Sequence, residues 1–519
     1  MMKTTKRFVL ILLFSLFISE AAFSQTEFSK VYYQELQELQ SGAVAACFDG
    51  SFVIAGERDK QFFLLRINSS GDTLWNKSIL GKENYLNYLN IQLISLRDSS
   101  LFFTASLQTP DSTKKLDVLC INLDVDGHVI WSKTYDFGES SSPHSVAQTF
   151  DDGFIITGHQ DANIIVLKLD RLGNVLWSKM LEEGNYVHSI KQTSDTGYLI
   201  VGNIIDHDPY FVSAFLTKLT ADGNIEWSKS FKGASNFNDG LDVIEDNGYV
   251  MAMWVHDSTL LVKTNLSGTI LWTKRYLPVV FNEPLFPFAK LQKTAEGRIV
   301  LLASIISFHG ESDVLMELNS AGEVLWASAM NMYAVDMVKT DDKGFLVVGN
   351  GPVSIPKSPS SFEPQIGVIK TDSLGQNAAY CIYDITIEAV VDTVTAQPVN
   401  FVLEAVEVNT AQPSLQMVTE PLRVRSGCVE SVGAVGENNV NHYIRIFPNP
   451  SSGIFTVRIL NEEQLNSLEV FNAFGERVFR LERIKSTEAL IDLNGYPSGM
   501  YFLQSTISKK KYTQKIMLY

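Results

Sequence analysis

The sequence predicts an all-β protein: a seven-bladed β-propeller, followed by a small β segment and a C-terminal immunoglobulin-like β-sandwich. Three observations predict this fold class. A strand–turn–strand unit recurs seven times, a second hairpin precedes each unit, and no helical periodicity separates them. The predicted boundaries are a signal peptide at 1–24, the propeller at 25–380, a β-rich stalk or linker at 381–440 and a C-terminal domain at 441–519.

The recurring unit is clearest at 164–181, which reads IIVLKLDRLGNVLWSKML. A seventh copy, at 368–380, keeps the turn and lacks the tryptophan that the other six copies place four residues after the turn glycine. The tryptophans are about 50 residues apart, a length that fits four strands with short connections. Four strands per repeat are typical of a propeller blade. The six tryptophans are Trp75, Trp131, Trp177, Trp227, Trp272 and Trp326.

The turn of this unit explains its fixed residues. Asp170 lies three residues before Gly173, and Asn, Asp or Thr holds the same position in the other copies. Such a side chain accepts hydrogen bonds from the backbone ahead of it, and the glycine supplies the positive φ that returns the chain as an antiparallel strand. The tryptophan then lies on the returning strand, where we expect its ring to fill the space between neighbouring sheets.

The seventh blade lacks an outer strand of its own, and the N-terminal region offers one. Residues 28–32, FSKVY, match the outer-strand residues 131–135, WSKTY. We expect the N-terminal strand to pair with the seventh blade, which closes the ring and removes a free sheet edge. The alternative is a frayed N-terminal tail.

The first 24 residues have the features of a secretory signal peptide. Lys3, Lys6 and Arg7 precede an apolar run at 8–18, and small residues precede a cleavage site near Ser24. The run is too short to span a bilayer, and no later stretch is long enough, so no transmembrane segment is expected. The formal net charge of −16 makes nucleic acid an unsuitable partner, because nucleic acids select basic surfaces.

The region after the repeats is less specific. Residues 382–430 alternate in hydrophobicity and contain three prolines, which is compatible with a small β element on the propeller or an extended stalk, and 431–441 resembles a linker. Cys381 and Cys428 bracket this region and are either bridged or free. Cys47 and Cys120 lie on predicted blade strands, where we expect buried thiols.

The last 75 residues carry the most specific motifs. Residues 446–459 read IFPNPSSGIFTVRI, and 491–504 read IDLNGYPSGMYFLQ. Short strands and turns predict a compact sandwich. The region also resembles the type A C-terminal sorting domain of the type IX secretion system found in Bacteroidetes. The resemblance rests on Phe447, Pro448, Asn449, Pro450, Gly453, Gly475, Gly499 and Tyr501.

This resemblance implies a route and two partners. The protein would cross the inner membrane by its signal peptide, then leave the periplasm through the type IX translocon. A sortase would remove the domain, and the cargo would be released or joined to surface lipopolysaccharide. The repeats resemble the propeller-like cargo that precedes such domains, a likeness that implies no activity.

Two sets of histidines are candidate ligand-binding residues. His144 and His188 begin equivalent inner strands, near the expected mouth of the central channel. A second set follows the second strand of blades three to six, where imidazole beside carboxylate suits transition-metal binding or acid–base chemistry. The structural alternative for both sets is ordinary polar residues at strand starts and in loops. The second set comprises His159 with Asp161, His207 with Asp208, His256 with Asp257, and His309.

No motif predicts a cofactor, a metal site or a catalytic residue. The turn 122–127 resembles the start of a calcium loop, but isoleucine stands at 130 where a further acidic ligand is needed. The expected function is therefore a non-enzymatic binding or adhesion scaffold for an unknown extracellular sugar, peptide or protein. The alternatives are a hydrolase or lyase acting on polysaccharide or peptide from the propeller rim, and a structural surface protein.

Overall fold

The computed structural model describes residues 27–518 apart from a set of gaps, the longest of which are 82–89, 233–241, 351–364 and 427–443. All 42 elements in the described part are β-strands, which confirms the all-β class. Seven sheets contain five antiparallel strands each, and two smaller sheets follow in the C-terminal region. No helix in the described residues has the length and apolar character needed to cross a membrane.

Each of the seven sheets is one blade, built from strands that run outward from the centre. The strand β1 (Phe28–Tyr33) belongs to the last blade. Blade 1 contains β2 (Leu39–Ala46), β3 (Phe52–Arg58), β4 (Gln61–Ile67) and β5 (Thr73–Gly81). Blade 2 contains β6 (Gln92–Ser95), β7 (Leu101–Gln108), β8 (Leu116–Leu123) and β9 (Val129–Asp136). Blade 3 contains β10 (Ser141–Gln148), β11 (Phe154–Gln160), β12 (Asn163–Leu169) and β13 (Val175–Leu181).

The remaining blades repeat this plan. Blade 4 contains β14 (Tyr186–Gln192), β15 (Tyr198–Ile205), β16 (Val212–Leu219) and β17 (Ile225–Lys232). Blade 5 contains β18 (Asp242–Glu245), β19 (Tyr249–Val255), β20 (Ser258–Thr264) and β21 (Ile270–Pro278). Blade 6 contains β22 (Leu285–Lys293), β23 (Ile299–Ser307), β24 (Gly310–Leu318) and β25 (Val324–Met330). Blade 7 contains β26 (Tyr333–Lys339), β27 (Phe345–Asn350) and β28 (Ile366–Lys370), with β1 as its fourth strand.

The seven blades form a closed ring. Their first strands contact each other in cyclic order, and β2 touches both β6 and β26. A separate buried apolar cluster fills each of the seven interfaces between neighbouring blades. The interface between blades 7 and 1 is built like the others, with Tyr32, Val44 and Phe63 in its cluster. This arrangement is that of a β-propeller.

The turn glycine of each blade lies against an aromatic ring of the preceding blade. Gly173 has a φ of +74°, and a Cβ added there would lie 2.6 Å from Trp131. The glycine is therefore required twice, once for the positive φ and once for the close ring. The same contact recurs around the ring as Trp75 on Gly127, Trp177 on Gly223, Trp227 on Gly268, Trp272 on Gly322, Trp326 on Gly375 and Phe28 on Gly71.

The predicted closure by the N-terminal strand is confirmed. β1 pairs antiparallel with β28, with Phe28 opposite Lys370 and Tyr32 opposite Ile366. Phe28 takes the place of the missing tryptophan, and the Tyr32 hydroxyl donates to the Gly71 carbonyl of blade 1. Tyr135 makes the equivalent bond to Gly173, 2.7 Å long. The N-terminal strand thus repeats the packing of an ordinary outer strand.

The region 382–426 forms neither a stalk nor a separate unit where the structure describes it. Its seven short strands each add a fifth strand to one blade, and they visit the blades in reverse order. Successive strands begin about seven residues apart, roughly 23 Å of extended chain, which is enough to step to the next blade. The strands are β29 (Ile382–Asp384) on blade 6, β30 (Ile387–Val391), β31 (Thr395–Pro398), β32 (Leu403–Ala405), β33 (Asn409–Ala411), β34 (Leu415–Val418) and β35 (Arg423–Ser426) on blade 7.

We call these seven strands the belt. It ends on β1, so the N-terminal strand lies between β28 and β35. Val408, Met417 and Leu422 pack against the clusters between the blades. The belt covers strand edges that would otherwise present unpaired backbone groups.

The C-terminal region contains two antiparallel sheets with a common core. The three-stranded sheet has β36 (Ile444–Phe447), β37 (Ile454–Ile459) and β40 (Glu488–Asp492). The four-stranded sheet has β38 (Leu465–Asn472), β39 (Arg477–Ser486), β41 (Gly499–Ile507) and β42 (Lys510–Leu518). Both sheets contribute to one apolar cluster that includes Phe455, Val470, Ile491 and Leu503. Two sheets sharing one core form a sandwich.

Candidate functional site

A β-bulge in the first strand places histidine at the start of blades 3 and 4. The pairing register skips His144 between Pro143 and Ser145, and it skips His188 in the same way. A glycine on the second strand faces each bulge. Glycine is required there, since a Cβ on Gly158 would collide with the carbonyl oxygen of Ser142. Bulges re-aim side chains, and here both imidazoles lie at the ends of the blades where the first strands begin.

These imidazoles belong to a connected polar group that spans blades 2 to 4. The His144 and His159 rings meet edge to face with centroids 4.2 Å apart, and His159 meets Tyr186 in the same way at 5.3 Å. We call this group the histidine site. Its members are Asn90, His144, His159, Tyr186, His188 and Asn203.

Hydrogen bonds hold the two outer imidazoles of the site. The Nδ2 of Asn90 lies 2.8 Å from the Nε2 of His144, and the Nδ2 of Asn203 lies 3.1 Å from the Nε2 of His188. The Val187 backbone N–H donates to the Nε2 of His159 at 3.4 Å. The Nδ1 of His159 is buried and has no hydrogen-bond partner within the described residues. The site therefore contains one buried polar atom without a hydrogen-bond partner in the described residues, as do Trp75 at Nε1 and Thr104 at Oγ1 elsewhere in the propeller.

Burial keeps the three imidazoles neutral. Burial lowers the pKa of His159 to about 4 and, together with the nearby His159, the pKa of His188 to about 3. Burial and the neighbouring imidazoles also lower the pKa of His144 well below its usual range. Desolvation disfavours the charged form of an imidazole, so all three are uncharged at neutral pH.

The site differs from a metal centre. No group of three His, Cys, Asp or Glu side chains in the described residues is placed to hold a metal ion. The rings of His144 and His159 pack edge to face, with an interplanar angle of 78°, and two of the three Nε2 atoms face asparagine amides. The arrangement resembles a packed polar cluster with one exposed rim.

The structure brings together three of the predicted ligand-binding residues and separates one. His144, His159 and His188 were assigned to two different sets, yet they form a single cluster. Asp161 is exposed in a turn with a φ of +51° and makes no contact that joins it to the cluster. The other five predictions lie outside the described residues: His207, Asp208, His256, Asp257 and His309.

Sequence reasoning missed Asn90, Tyr186 and Asn203. The signal for two of them was present, because blade 7 carries Tyr333 and Asn350 at the positions of Tyr186 and Asn203. Such pairs become informative only when the register of the first two strands is known. Asn90 precedes the first strand of blade 2 and has no counterpart in a motif.

A second polar group, in the first strands, fastens neighbouring blades together. Asp242 accepts from the Leu291 backbone N–H and from the Ser189 hydroxyl, while Asp336 accepts from the Val44 N–H. Burial raises the pKa of Asp336, and Lys290, 3.9 Å away, acts against that effect. These carboxylates satisfy backbone donors at the blade interfaces, which is a structural role.

Another repeated ion pair also has a structural role. A buried lysine or arginine on the third strand reaches the acidic residue of the first hairpin turn, as Lys168 reaches Asp151 at 2.9 Å. Because this cation recurs at the same position of several blades, together with the turn residues, we assign it a role in the fold. The pairs are Arg66 with Asp49, Lys168 with Asp151, Lys218 with Asp195, Lys263 with Asp246, and Lys370 with Asp342.

The predicted cysteine and sorting residues have mixed outcomes. Cys47 and Cys120 are buried free thiols, as expected, and burial raises the pKa of both. Cys381 and Cys428 lie outside the described residues. The same holds for Pro448, Pro450 and Gly475 of the sorting motif.

The described sorting residues occupy strand ends of the sandwich. Arg458 lies over the Phe447 ring at 5.2 Å, and the buried Tyr501 donates to the Pro497 carbonyl at 2.7 Å. Asn449 is half-buried, and Gly499 begins β41. A Cβ on Gly453 would collide with the side chain of Asn494, so that position admits only glycine without rearrangement.

Comparison with known proteins identifies the domain at the C-terminus. A family model described as a secretion system C-terminal sorting domain matches residues 445–519. The comparison with curated proteins found no match.

Solved structures give weak likenesses. A protein of unknown function from Bacteroides caccae is 14% identical, with 56% of this chain and 93% of that chain covered and a TM-score of 0.33. A streptogramin B lyase is 12% identical, with coverages of 66% and 97% and a TM-score of 0.39. Sqt1 from Chaetomium thermophilum is 10% identical, with coverages of 64% and 96% and a TM-score of 0.38. TM-scores this low carry no conclusion about the present chain.

Proposed function

We propose that this protein, whose C-terminal residues carry a type IX secretion sorting domain, is an extracellular β-propeller that binds a ligand without transforming it. The sorting domain indicates secretion to the cell surface or the extracellular space. The propeller would serve as a rigid scaffold for binding or adhesion.

The observation that carries the binding role is the histidine site. It joins residues of three blades, it includes the half-buried His144 and His188 and the exposed Tyr186, and it holds the unpaired Nδ1 of His159. The repeated features of the blades are all accounted for by turns, packing and ion pairs. Its imidazoles have no counterpart at the matching positions of blade 7, where the bulge residue is Val335.

The proposed route uses both ends of the chain. Cleavage near Ser24 would leave β1 intact, because that strand begins at Phe28. The type IX translocon would then recognise the C-terminal sandwich, and its sortase would remove it. Deleting residues 441–519 is expected to leave a folded propeller in the periplasm, measured by cell fractionation and immunoblotting. Normal surface delivery of the truncated chain would contradict this route.

The rival function is a hydrolase or lyase acting on polysaccharide or peptide. One observation favours it: His159 is neutral at pH 7 and its Nε2 accepts from the Val187 N–H, so its Nδ1 carries the ring proton and is a donor of the kind that stabilises negative charge developing on a substrate oxygen. The third alternative, a structural surface protein without a specific ligand, leaves the histidine site without a role.

One experiment separates these functions. The mature full-length protein is tested for binding and for turnover against one panel of neutral polysaccharides, charged polysaccharides and peptides. We expect binding that His159→Phe weakens, with no release of new reducing ends, unsaturated products or amines. Turnover that His159→Phe abolishes would establish the rival function, and binding indifferent to the substitution would remove the site from the proposal.

A further inference from the structure

We infer that the histidine site takes a neutral, hydroxyl-rich ligand, a saccharide. This inference rests on the proposed binding function and names its ligand class. It is carried by the charge, the hydrogen-bonding groups and the aromatic surface of the six residues, together with the absence of the same set from the matching positions of blade 7.

The six described side chains offer an ionic ligand no opposite charge. Its six side chains comprise three imidazoles, two carboxamides and one phenol, and none is a carboxylate, an ammonium or a guanidinium. A charged ligand would lose hydration on entering this half-buried surface without gaining an opposite charge. A neutral ligand pays no such penalty.

The hydrogen-bonding groups exclude a purely apolar ligand next. Carboxamides and neutral imidazoles each offer both a donor and an acceptor, and a hydroxyl group is likewise both. An apolar ligand would remove water from the half-buried Asn90, His144 and His188 side chains without replacing its hydrogen bonds, at a cost of about 1–3 kcal/mol for each group. A ligand with several hydroxyl groups replaces those hydrogen bonds.

Tyr186 supplies the aromatic surface that a sugar ring needs. Its side chain begins the first strand of blade 4, is 42% exposed and stands edge to face against His159. Aromatic side chains present a flat apolar face beside a polar tip, which suits a molecule that has both C–H faces and hydroxyl edges. Tyrosine combines these properties at a small cost in conformational entropy.

Blade 7 has the same bulge and the same Tyr–Asn pair but lacks the imidazoles. Tyr333 and Asn350 pair across the bulge as Tyr186 and Asn203 do. The bulge residue of blade 7 is Val335 where blade 4 has His188, and the Oδ1 of Asn350 accepts from the Ser41 backbone N–H at 2.8 Å. The frame is therefore common to both blades, and the imidazoles are the addition in blades 3 and 4.

The test is affinity electrophoresis of the mature full-length protein in native gels. The gels contain a neutral β-glucan, xylan or mannan, or instead anionic alginate or cationic chitosan. We expect retardation by at least one neutral polysaccharide. Tyr186→Ala, at an exposed position, should weaken that retardation at least tenfold, and His188→Val, which installs the residue of blade 7, should do the same.

Two control variants lie outside the site. Tyr333→Ala removes the same side chain from the same position of blade 7, and His128→Ala removes an exposed imidazole that pairs with Asp124 in the turn at the other end of blade 2. Both should migrate like the parent protein. Thermal melting checks that every variant folds. If His188→Val does not fold, Tyr186→Ala still decides the test.

The outcomes separate this inference from the proposed function. Binding only to alginate, chitosan or peptides, lost in Tyr186→Ala, would overturn the saccharide class and leave the binding function standing. Turnover of a neutral polysaccharide would overturn the non-enzymatic function and leave the ligand class standing. Absence of retardation by every neutral polysaccharide, or retardation that neither site variant changes, would overturn the inference.

Discussion

The two ends of each blade obey different rules. At the end that carries the third-to-fourth-strand turn, all seven blades make one contact, an aromatic ring on the turn glycine of the next blade. At the end where the first strand begins, equivalent residues make different contacts in different blades. Asn203 in blade 4 faces His188, whereas Asn350 in blade 7 binds the backbone of blade 1. Repetition thus marks the end that carries the glycine contact, and variation marks the end where we propose the binding site.

The largest expected effect is a loss of stability on removing the strand that closes the ring. Deleting residues 25–34 removes β1, with the buried Val31 and Tyr32 and the Phe28 ring on Gly71. Losing two buried side chains and two strand ladders should lower the free energy of unfolding by more than about 5 kcal/mol. Urea unfolding measures this loss, and removal of residues 25 and 26 alone is the control. An unchanged midpoint would refute closure by the N-terminal strand.

The next effect separates the two reasons for a turn glycine. Gly173 and Gly297 have nearly the same φ, +74° and +77°, but only Gly173 faces a ring, and Gly297 has open space around its missing Cβ. Gly297→Ala should cost about 1–2 kcal/mol from backbone strain alone. Gly173→Ala should cost about 3–4 kcal/mol, because Trp131 must also move. Equal shifts in chemical denaturation would show that the ring contact is unimportant.

The next effect is a loss of stability at acidic pH, caused by the three imidazoles of the histidine site. The folded pKa values of His144, His159 and His188 lie below the unfolded value of about 6.5, so the unfolded chain binds more protons as the pH falls. Their stabilisation is fully present well above pH 6.5 and is lost progressively toward a pH of about 3, the folded pKa of His188. We expect a loss of about 1 kcal/mol for each imidazole between pH 7 and 5.5.

Two comparisons isolate the histidine contribution. The raised pKa of Asp336 works in the opposite sense, because the folded state holds that proton more tightly. The lowered pKa values of Asp151 and Asp195 act only at lower pH, below the ordinary carboxyl range. His159→Gln should therefore flatten the stability–pH curve between pH 6.5 and 5. A slope identical to that of the parent protein would contradict the assignment of this region to the imidazoles.

The smallest effect sharpens the contrast between the two asparagines. Asn350→Ala leaves the Ser41 N–H without its acceptor at the blade 7–blade 1 interface and should cost about 1–2 kcal/mol. Asn203→Ala should cost a similar amount, because Asn203 is itself buried and His188 loses its hydrogen-bond donor. Only Asn203→Ala should weaken retardation in the polysaccharide gels, since Asn350 lies outside the histidine site. Thermal melting measures the two losses in stability, and weakened retardation of Asn350→Ala alone would reverse the roles assigned to the two blades.

Much of the regular end was predictable because its causes are local. The acceptor at Asp170 and the positive φ of Gly173 follow from a turn of a few residues, and the match of residues 28–32 to an outer strand predicted the closing pair. The glycines of the first hairpin are a partial exception. In blade 3 the positive φ belongs to Asp152, and Gly153 is needed because a Cβ would collide with the Leu169 carbonyl, whereas Gly50 and Gly297 carry the positive φ themselves in blades 1 and 6.

The sequence by itself determined the all-β class, the repeat, the turn chemistry, the N-terminal strand of the ring and the sorting domain. Most of these depend on neighbours in the chain or on a short motif, and the N-terminal strand was recognised by its match to the repeated outer strand at 131–135. Only the tertiary structure decided that 382–426 forms a belt, because its short strands find their partners on seven different blades in reverse order. Only the tertiary structure joined His144, His159 and His188, since contact between them requires two bulges and the packing of adjacent blades. Pairings between distant residues leave no periodic trace in a single sequence, and the candidate site is made of such pairings.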